Sequence, residues 1–449
     1  YILVEEGEIK LADAAHLWGK DTYETQALIR EVAGDGSVAC IGPAGENQVL
    51  FAAVMNDHGR AAGRCGLGAV MGSKNLKAVA VKGRKKCPLA DAKTFNATTK
   101  FILEELKKAT ALFTQYGTLG YMDLGMYFGD VPAKYFTENV FPAEKVTGQR
   151  LREEFQVTFQ PCWGCAIACG RKTRLTGRYN LTVDGPEYET AVALGPLCGC
   201  FDLATIAYAG HLCNAYGLDT ISAGVAIAFA MYLLDRKMVD PNRLGFSISW
   251  GDGEGILRLL EQTAKKAGPG ALLGLGVKRM AAELGVDPEL AAHVKGLEIP
   301  MHDPRAFAGM ALVYATGPRG ACHQRADFYS LDLGVVRQEC LGLKPGEDRF
   351  SIEGRVKDVV ILQNVRELDN ALLRCTFASL PLDATAGLLG LATGSPWTVE
   401  ELLAVGDRSA TLKRMLNCKL GVTRSDDRLP RVLKQPYREG PNAGVVPDE

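Results

Sequence analysis

Three cysteines in one short run are the residues best placed to do chemistry: Cys162-Trp163-Gly164-Cys165-Ala166-Ile167-Ala168-Cys169, a C-x2-C-x3-C spacing. Thiolates this close, gathered by one turn, hold three corners of a [4Fe–4S] cube and call for a fourth ligand from elsewhere in the chain. Zinc competes for such residues, although its sites more often present two separated pairs. Three unrelated core thiols are the plain alternative. Five of the other ten cysteines stand singly among apolar or small residues (Cys40, Cys87, Cys213, Cys340 and Cys418), where a free thiol packs as a small hydrophobe.

A second group lies between Gly59 and Lys77, where glycines interleave with Arg60, Arg64, Lys74 and Lys77. Glycine lets the backbone come close, and the cations favour an anion. The spacing before Gly72-Ser73-Lys74 is not that of a Walker loop, and a strand-like run follows where a helix should. It also fails as a dinucleotide fingerprint. A solvated basic turn explains the run as well as a phosphate site does. Likewise Asn214 to Asp219, read alone, is a helix C-cap at Gly217, and GPEYET at Gly185–Thr190 is a solvated turn.

The elements that must position these residues change character along the chain. Up to residue 84 the pattern alternates: a strand–turn–strand over Tyr1–Leu11, strands at Ser37–Ile41, Val49–Met55 and Leu76–Lys82, and one helix near Thr22–Val32. Beyond residue 90, helix-period segments dominate, at Lys93–Leu112, Asp202–Tyr216, Ser222–Lys237, Gly255–Lys266, Leu272–Leu284, Lys357–Ala371 and Thr398–Met415. This predicts an α+β fold: a β-sheet-rich cofactor domain over residues 1–84, then two mainly helical domains over 85–291 and 292–449.

Composition narrows the function. In 449 residues, 51 basic side chains meet 52 acidic ones, and the net charge of −1 gives no bulk-electrostatic case for nucleic acid or an anionic membrane. The most apolar stretch, Ala223–Leu234, is shorter than the ~20 residues a bilayer needs and predicts a buried helix. The sequence opens in a strand-like run, Tyr1-Ile2-Leu3-Val4, with no export signal. That opening predicts an N-terminal domain lacking its first part, and a cytoplasmic protein.

Taken together, the motifs resemble the aldehyde:ferredoxin oxidoreductase family. RAAGRCGLGAVMGSKNLKAVAV, PCWGCAIACGR, GPEYET, Asn214-Ala215-Tyr216-Gly217-Leu218-Asp219, His302-Asp303-Pro304-Arg305 and the run Tyr314–His323 follow in family order across nearly the whole chain. The resemblance implies a tungsten or molybdenum bis-pyranopterin centre, Mg²⁺ bridging the pterin phosphates, and one [4Fe–4S] cluster. Cys162, Cys165, Cys169 and the distant Cys375 would be the cluster ligands. Glu187 and His323 match the family's acid–base pair, with Glu189 the nearby rival and expected to face outward. The backbone carbonyl of Ala61 would meet the magnesium, with Arg60 and Arg64 as phosphate, pterin or cluster neighbours. Asn214, Gly217, Leu218 and Asp219 would form the first pterin motif, with Asn214 in place of the family's first Asp. Asp369, Asn370 and Leu373 would form the second, which is one residue longer than the family pattern and lacks its Gly.

What the resemblance implies is oxidation of small aldehydes to carboxylic acids, with ferredoxin as electron acceptor. It is compatible with a homodimer or with separate electron-transfer subunits, but the E-x-x-H pattern for an interface iron is missing from Asp202–Tyr216. Two other functions stay open at this point. One is a tungsten catalytic subunit of a larger reductase complex, like benzoyl-CoA reductase. The other is an Fe–S electron-transfer module without catalysis, which leaves the Arg/Gly loop unused.

Overall fold

The hairpin expected at the start forms around Glu6-Gly7, both at positive φ. Its strands, β1 (Ile2–Glu5) and β2 (Glu8–Leu11), pair antiparallel. The computed structural model describes residues 1–336 and 338–447. Helix α1 (Thr22–Ala33) starts at Asp21, whose side chain accepts from the Glu24 amide in a capping box. Its buried positions Thr22, Thr25, Gln26, Ile29 and Ala33 fall on one helical face. Strands β3 (Ser37–Cys40), β4 (Val54–Asn56), β5 (Arg60–Ala62) and β6 (Ala78–Lys82) complete a six-stranded sheet of order β2-β1-β6-β3-β4-β5. Only the β1–β6 pair is parallel. The strand expected over Val49–Met55 shortens to Val54–Asn56, because Ala52 leaves the sheet to bridge Leu218.

The Gly59–Lys77 run holds a short helix, α2 (Leu67–Ser73), before β6. Its glycines serve packing. A Cβ on Gly72 would lie 1.8 Å from the Gly45 carbonyl oxygen, and one on Gly68 would lie 2.4 Å from that of Ala53. The glycine excess here therefore lets a helix lie directly on backbone.

Helices then take over: α3 (Ala92–Ala109), α4 (Ala111–Tyr116), α5 (Tyr188–Leu194), α6 (Leu203–Tyr216), α7 (Thr220–Asp235), α8 (Gly253–Ala264), α9 (Ala308–Thr316), α10 (Val356–Ala371), α11 (Leu382–Thr393) and α12 (Val399–Lys419), with shorter pieces between. Every residue of α7 from Ile221 to Leu233 is buried, as its all-round apolar sequence requires. It packs on α5, and α6 packs on α8. The expected helix Leu272–Leu284 divides into Gly270–Leu273 and Gly276–Leu284. Among the described residues, no single helix is long and apolar enough to cross a membrane.

A three-stranded antiparallel sheet of β7 (Gln156–Phe159), β8 (Arg171–Arg174) and β9 (Thr182–Asp184) interrupts the helical part. A two-stranded hairpin, β10 (His293–Val294) with β11 (Leu297–Glu298), is smaller still. Neither was expected, since each strand is too short to show a period. The fold is α+β. Of the cysteines expected in the core, Cys40 and Cys213 are buried, whereas Cys87, Cys340 and Cys418 are exposed.

Candidate active site and cluster loop

The cysteine run is the loop of the β7–β8 hairpin, closed where the Gln160 amide donates to the Gly170 carbonyl at 2.9 Å. Positive φ at Gly164 and Ala168 turns the loop so that its thiols gather. The Cys165 amide donates to the Cys162 carbonyl at 3.1 Å, and the Ile167 amide donates to the Cys165 sulfur at 3.3 Å. Helix α4 holds the loop from behind: Thr114 Oγ1 donates to the Ile167 carbonyl at 2.8 Å, and Arg171 donates to the Phe113 carbonyl, also at 2.8 Å. On the same helix the Phe113 ring meets Phe377, with centroids 4.7 Å apart, which brings the turn after α10 and its Cys375 to the loop.

Cys375 lies close enough to Cys165 and Cys162 for their charges to interact, and Cys169 senses both Cys375 and Cys162. Desolvation, then the neighbouring negative charge of Glu187, pushes the Cys169 thiol up to about 12. Desolvation likewise raises Cys375. Among the described residues, no three His, Cys, Asp or Glu side chains converge tightly enough to hold a single metal ion. A tetrahedral zinc site would draw its sulfurs to about 3.8 Å from one another, given Zn–S bonds of ~2.3 Å. Three cysteines of one loop, charge-coupled to a fourth on a distant turn and with an N–H donated to one sulfur, are the donor set that suits a four-iron cube.

Arg60 sits against the end of this loop. Its Nη2 donates to the Gln160 carbonyl at 2.7 Å, and a Cβ on Gly170 would lie 2.0 Å from that nitrogen. Its Nη1 is 3.5 Å from Glu187 Oε1. Burial opposes the charge of Arg60, but Glu187 and the thiols of Cys162 and Cys169 raise its pKa overall. Ala61 is exposed on β5, an edge strand, so its backbone groups that point away from the sheet are free to meet a ligand.

Glu187 and Glu189 bracket the first turn of α5 and face different ways. Glu187 is the N-cap residue, 39% exposed at its side chain; its Oε2 accepts from Thr118 Oγ1 at 2.5 Å and its Oε1 faces Arg60. Glu189 turns inward. Its Oε2 accepts from the Met301 amide at 2.9 Å, and its Oε1 lies 3.3 Å from His323 Nδ1 and 3.8 Å from His302 Nε2. Neither Glu189 Oε1 nor His323 Nδ1 makes a hydrogen bond of good geometry, so both are poised for a further partner. Burial raises the Glu189 pKa, with His302 opposing it, and burial lowers that of His323. The expectation that paired Glu187 with His323 and turned Glu189 to solvent is thus corrected by geometry: Glu187 belongs to the cysteine side of the helix, and Glu189 to the histidine side.

The two pterin motifs are also more occupied than expected. Gly217 ends α6 at φ 73°, its carbonyl accepting from the Ala53 amide, and Leu218 is buried against Ala52. The Asn214 carbonyl accepts from Thr22 Oγ1 at 2.7 Å. Asp219 caps α7 and pairs with Arg64 at 3.1 Å. Arg64 itself is buried, and its Nη1 and Nη2 donate to the carbonyls of Ala321 (2.8 Å) and Glu298 (2.6 Å). Three of its five N–H donors are thus engaged by protein groups, which makes it an internal clamp. The Asp369 carboxylate is likewise taken by Arg366 at 2.8 Å and Arg374 at 2.9 Å. Asn370, whose Nδ2 donates to the Arg366 carbonyl, and Leu373, 93% exposed, remain on the surface.

With the geometry in view, comparison with known proteins is direct. The sequence profile for the N-terminal domain of aldehyde ferredoxin oxidoreductase matches residues 1–83, and that for its domains 2 and 3 matches residues 96–449. The chain belongs to the aldehyde ferredoxin oxidoreductase family. It is 39% identical to the tungsten-containing aldehyde ferredoxin oxidoreductase of Pyrococcus furiosus over 99% of this chain and 74% of that protein. Identity to the enzyme of the same name from Thermococcus kodakarensis is 37%, with the same coverage. Among solved structures, the active-site complex of benzoyl coenzyme A reductase with 1,5-dienoyl-CoA superposes with a TM-score of 0.81 at 21% identity, over 98% of this chain and 74% of that one. That likeness shows a shared fold. Sequence reasoning missed Asp130, Tyr121 and Tyr329, which surround His302 in the interior of this family member; no local motif marks them.

Proposed function

We propose that this chain oxidises aldehydes to carboxylic acids at a tungsten bis-pyranopterin centre, passing electrons through a [4Fe–4S] cluster to ferredoxin. The observation that carries this reading is the first turn of α5. Glu187 at its start faces Arg60 and the cysteine loop, while Glu189 two residues on faces His323 and His302. An electron-transfer module without catalysis has no use for the second face. Cys162, Cys165, Cys169 and Cys375 would hold the cluster. Arg60, the outward backbone of Ala61 and the surface of Asn370–Leu373 would meet the pterin groups and their Mg²⁺. The bound metal would supply a two-electron acceptor beside the substrate carbon.

The chain's own residues handle protons. Oxidation of an aldehyde with water releases two protons with its two electrons, so a base must stand in the pocket. Glu189, its pKa raised by burial, is a stronger base than an exposed carboxylate and can take up a proton and release it. His323, kept neutral by burial, presents an unpartnered ring nitrogen for a carbonyl oxygen or a proton. A cytoplasmic location and a domain division near residues 84 and 291 accompany this reading. Anaerobically purified holoprotein should contain tungsten, pterin and about four irons per chain, and should reduce a viologen with an aldehyde as sole donor. Iron and pterin without any aldehyde-dependent reduction would reject the reading.

A further inference from the structure

We propose that Asp130 and His302 form a proton-accepting pair behind Glu189, His302 taking the proton that Glu189 collects and Asp130 fixing the imidazole for that task. The inference rests on the aldehyde-oxidising reading above and adds to it two residues that touch no substrate. His302 is 3% exposed and Asp130 is fully buried. Asp130 Oδ2 lies 2.6 Å from His302 Nδ1 and also accepts from the Tyr121 hydroxyl at 2.9 Å. The imidazole is held in place: Tyr329 stacks on it with centroids 4.0 Å apart and planes 15° apart, and Tyr314 donates to the His302 carbonyl at 2.8 Å. Its second nitrogen, Nε2, is left facing Glu189. Four titratable side chains thus stand in series: His323, Glu189, His302 and Asp130.

The order of basicity suits transfer away from the substrate. Burial lowers His302, but Asp130 first, and then Glu189 and Asp327, raise it overall. His323 is lowered by burial, and then by His302, Arg64 and Arg319. Arg64 also faces Glu189, and Asp303 and Arg349 face Asp130. With Nδ1–H donated to Asp130, the Nε2 lone pair is free. In the step, the O–H bond of the Glu189 carboxyl breaks and an N–H bond forms at His302 Nε2; no electrons are exchanged with the cofactor. The 3.8 Å gap exceeds a direct hydrogen bond, so one water or a side-chain shift of about 1 Å completes it.

Asp130→Asn is the test, because its amide would donate to Nδ1 and force the hydrogen onto Nε2, where the ring can no longer accept from Glu189. In holoprotein assayed with aldehyde and viologen, kcat should fall on the order of ten- to a hundredfold and the solvent isotope effect should grow, with KM little changed. Tungsten and iron content should match wild type. Tyr121→Phe, which strips the other donor from the same oxygen, measures the cost of disturbing the buried carboxylate alone. A second readout needs no turnover: in oxidised, ¹⁵N-histidine-labelled protein, one of the six imidazoles should titrate above the ordinary histidine value and lose that behaviour in Asp130→Asn. The pairing is overturned if Asp130→Asn costs no more than Tyr121→Phe and leaves the imidazole titrations unchanged. Should wild type show the Asp130-dependent titration yet oxidise no aldehyde, the reaction assignment fails while the coupling of the two residues stands.

Discussion

Arg64 donates to the carbonyl of Ala321 at 2.8 Å, two residues ahead of His323, while its Nε holds Asp219 at the start of α7. The buried guanidinium thus ties the glycine-rich loop to both the helix cap and the histidine turn. Its third contact, to the Glu298 carbonyl, fixes the hairpin that leads to Met301 and His302. The turns that lead to His302 and to His323 share one clamp.

Removing that clamp should be costly. Arg64→Met would leave Asp219 buried with only the Ile221 amide and the Ser222 hydroxyl as partners, and breaking a buried pair from one side typically costs about 3–5 kcal/mol. Denaturant unfolding should show a loss of that order, and Arg64→Lys, which cannot reach three acceptors, an intermediate one. If Arg64→Met unfolds like wild type, the clamp carries no stability.

The cluster assignment has its own contrast. Cys162→Ala, Cys165→Ala or Cys169→Ala should remove most of about four irons per chain and the visible thiolate-to-iron absorption. Cys375→Ser should weaken or alter the cluster, whereas Cys418→Ser, on an exposed turn of α12, should not. Finding one zinc and no iron in protein made anaerobically with iron supplied would refute the cube.

How far the sequence reached depends on the kind of information. Long elements with a period were legible: α1, α7 and α10 lie within about two residues of their expected bounds. Strands β7 to β9 were not, because three or four residues carry no alternation to read. The cysteine triple was visible by spacing, since one loop holds it. The orientation of Glu187 and Glu189 was not, because residues two apart at a helix start differ by backbone angles that only the packed neighbours decide. The clamping contacts of Arg64 were hidden because a lone sequence cannot show that Asp219, Glu298 and Ala321 converge on it. Asp130 escaped notice for the same reason: it meets His302 across 172 positions.

His293 predicts a pH dependence of stability. Burial lowers its pKa to about 4, with Lys278 adding to the effect, and the Gly296 amide donates to its Nδ1 at 3.2 Å, a contact only the neutral ring can accept. Above an unfolded pKa of ~6.5 both states are neutral and the group contributes no slope. As pH falls from there toward 4, the unfolded chain binds a proton that the folded one refuses, so stability declines. His293→Gln should flatten that part of the curve of unfolding free energy against pH. An unchanged slope would mean that His293 titrates normally.

The final prediction separates the two carboxylates of α5. Glu189→Gln keeps size and the contact to the Met301 amide but removes the base, and general acid–base groups contribute about 10²–10⁴-fold, so turnover should fall within that range. Metal, pterin and iron should stay near wild type, because Glu189 faces histidines and no cysteine. His323→Asn should behave similarly, and the double variant should lose little more than either single one, as expected of groups acting on one proton. Glu187→Gln acts elsewhere. It loosens Arg60 beside Cys162 and Cys169, so its signature should be a shifted cluster potential with a smaller loss of turnover. The assay is aldehyde-dependent viologen reduction, with the potential taken from a redox titration of the cluster absorption. If Glu187→Gln abolishes turnover without moving the potential while Glu189→Gln is silent, the inward carboxylate is only structural and the proton-transfer role passes to the outward one.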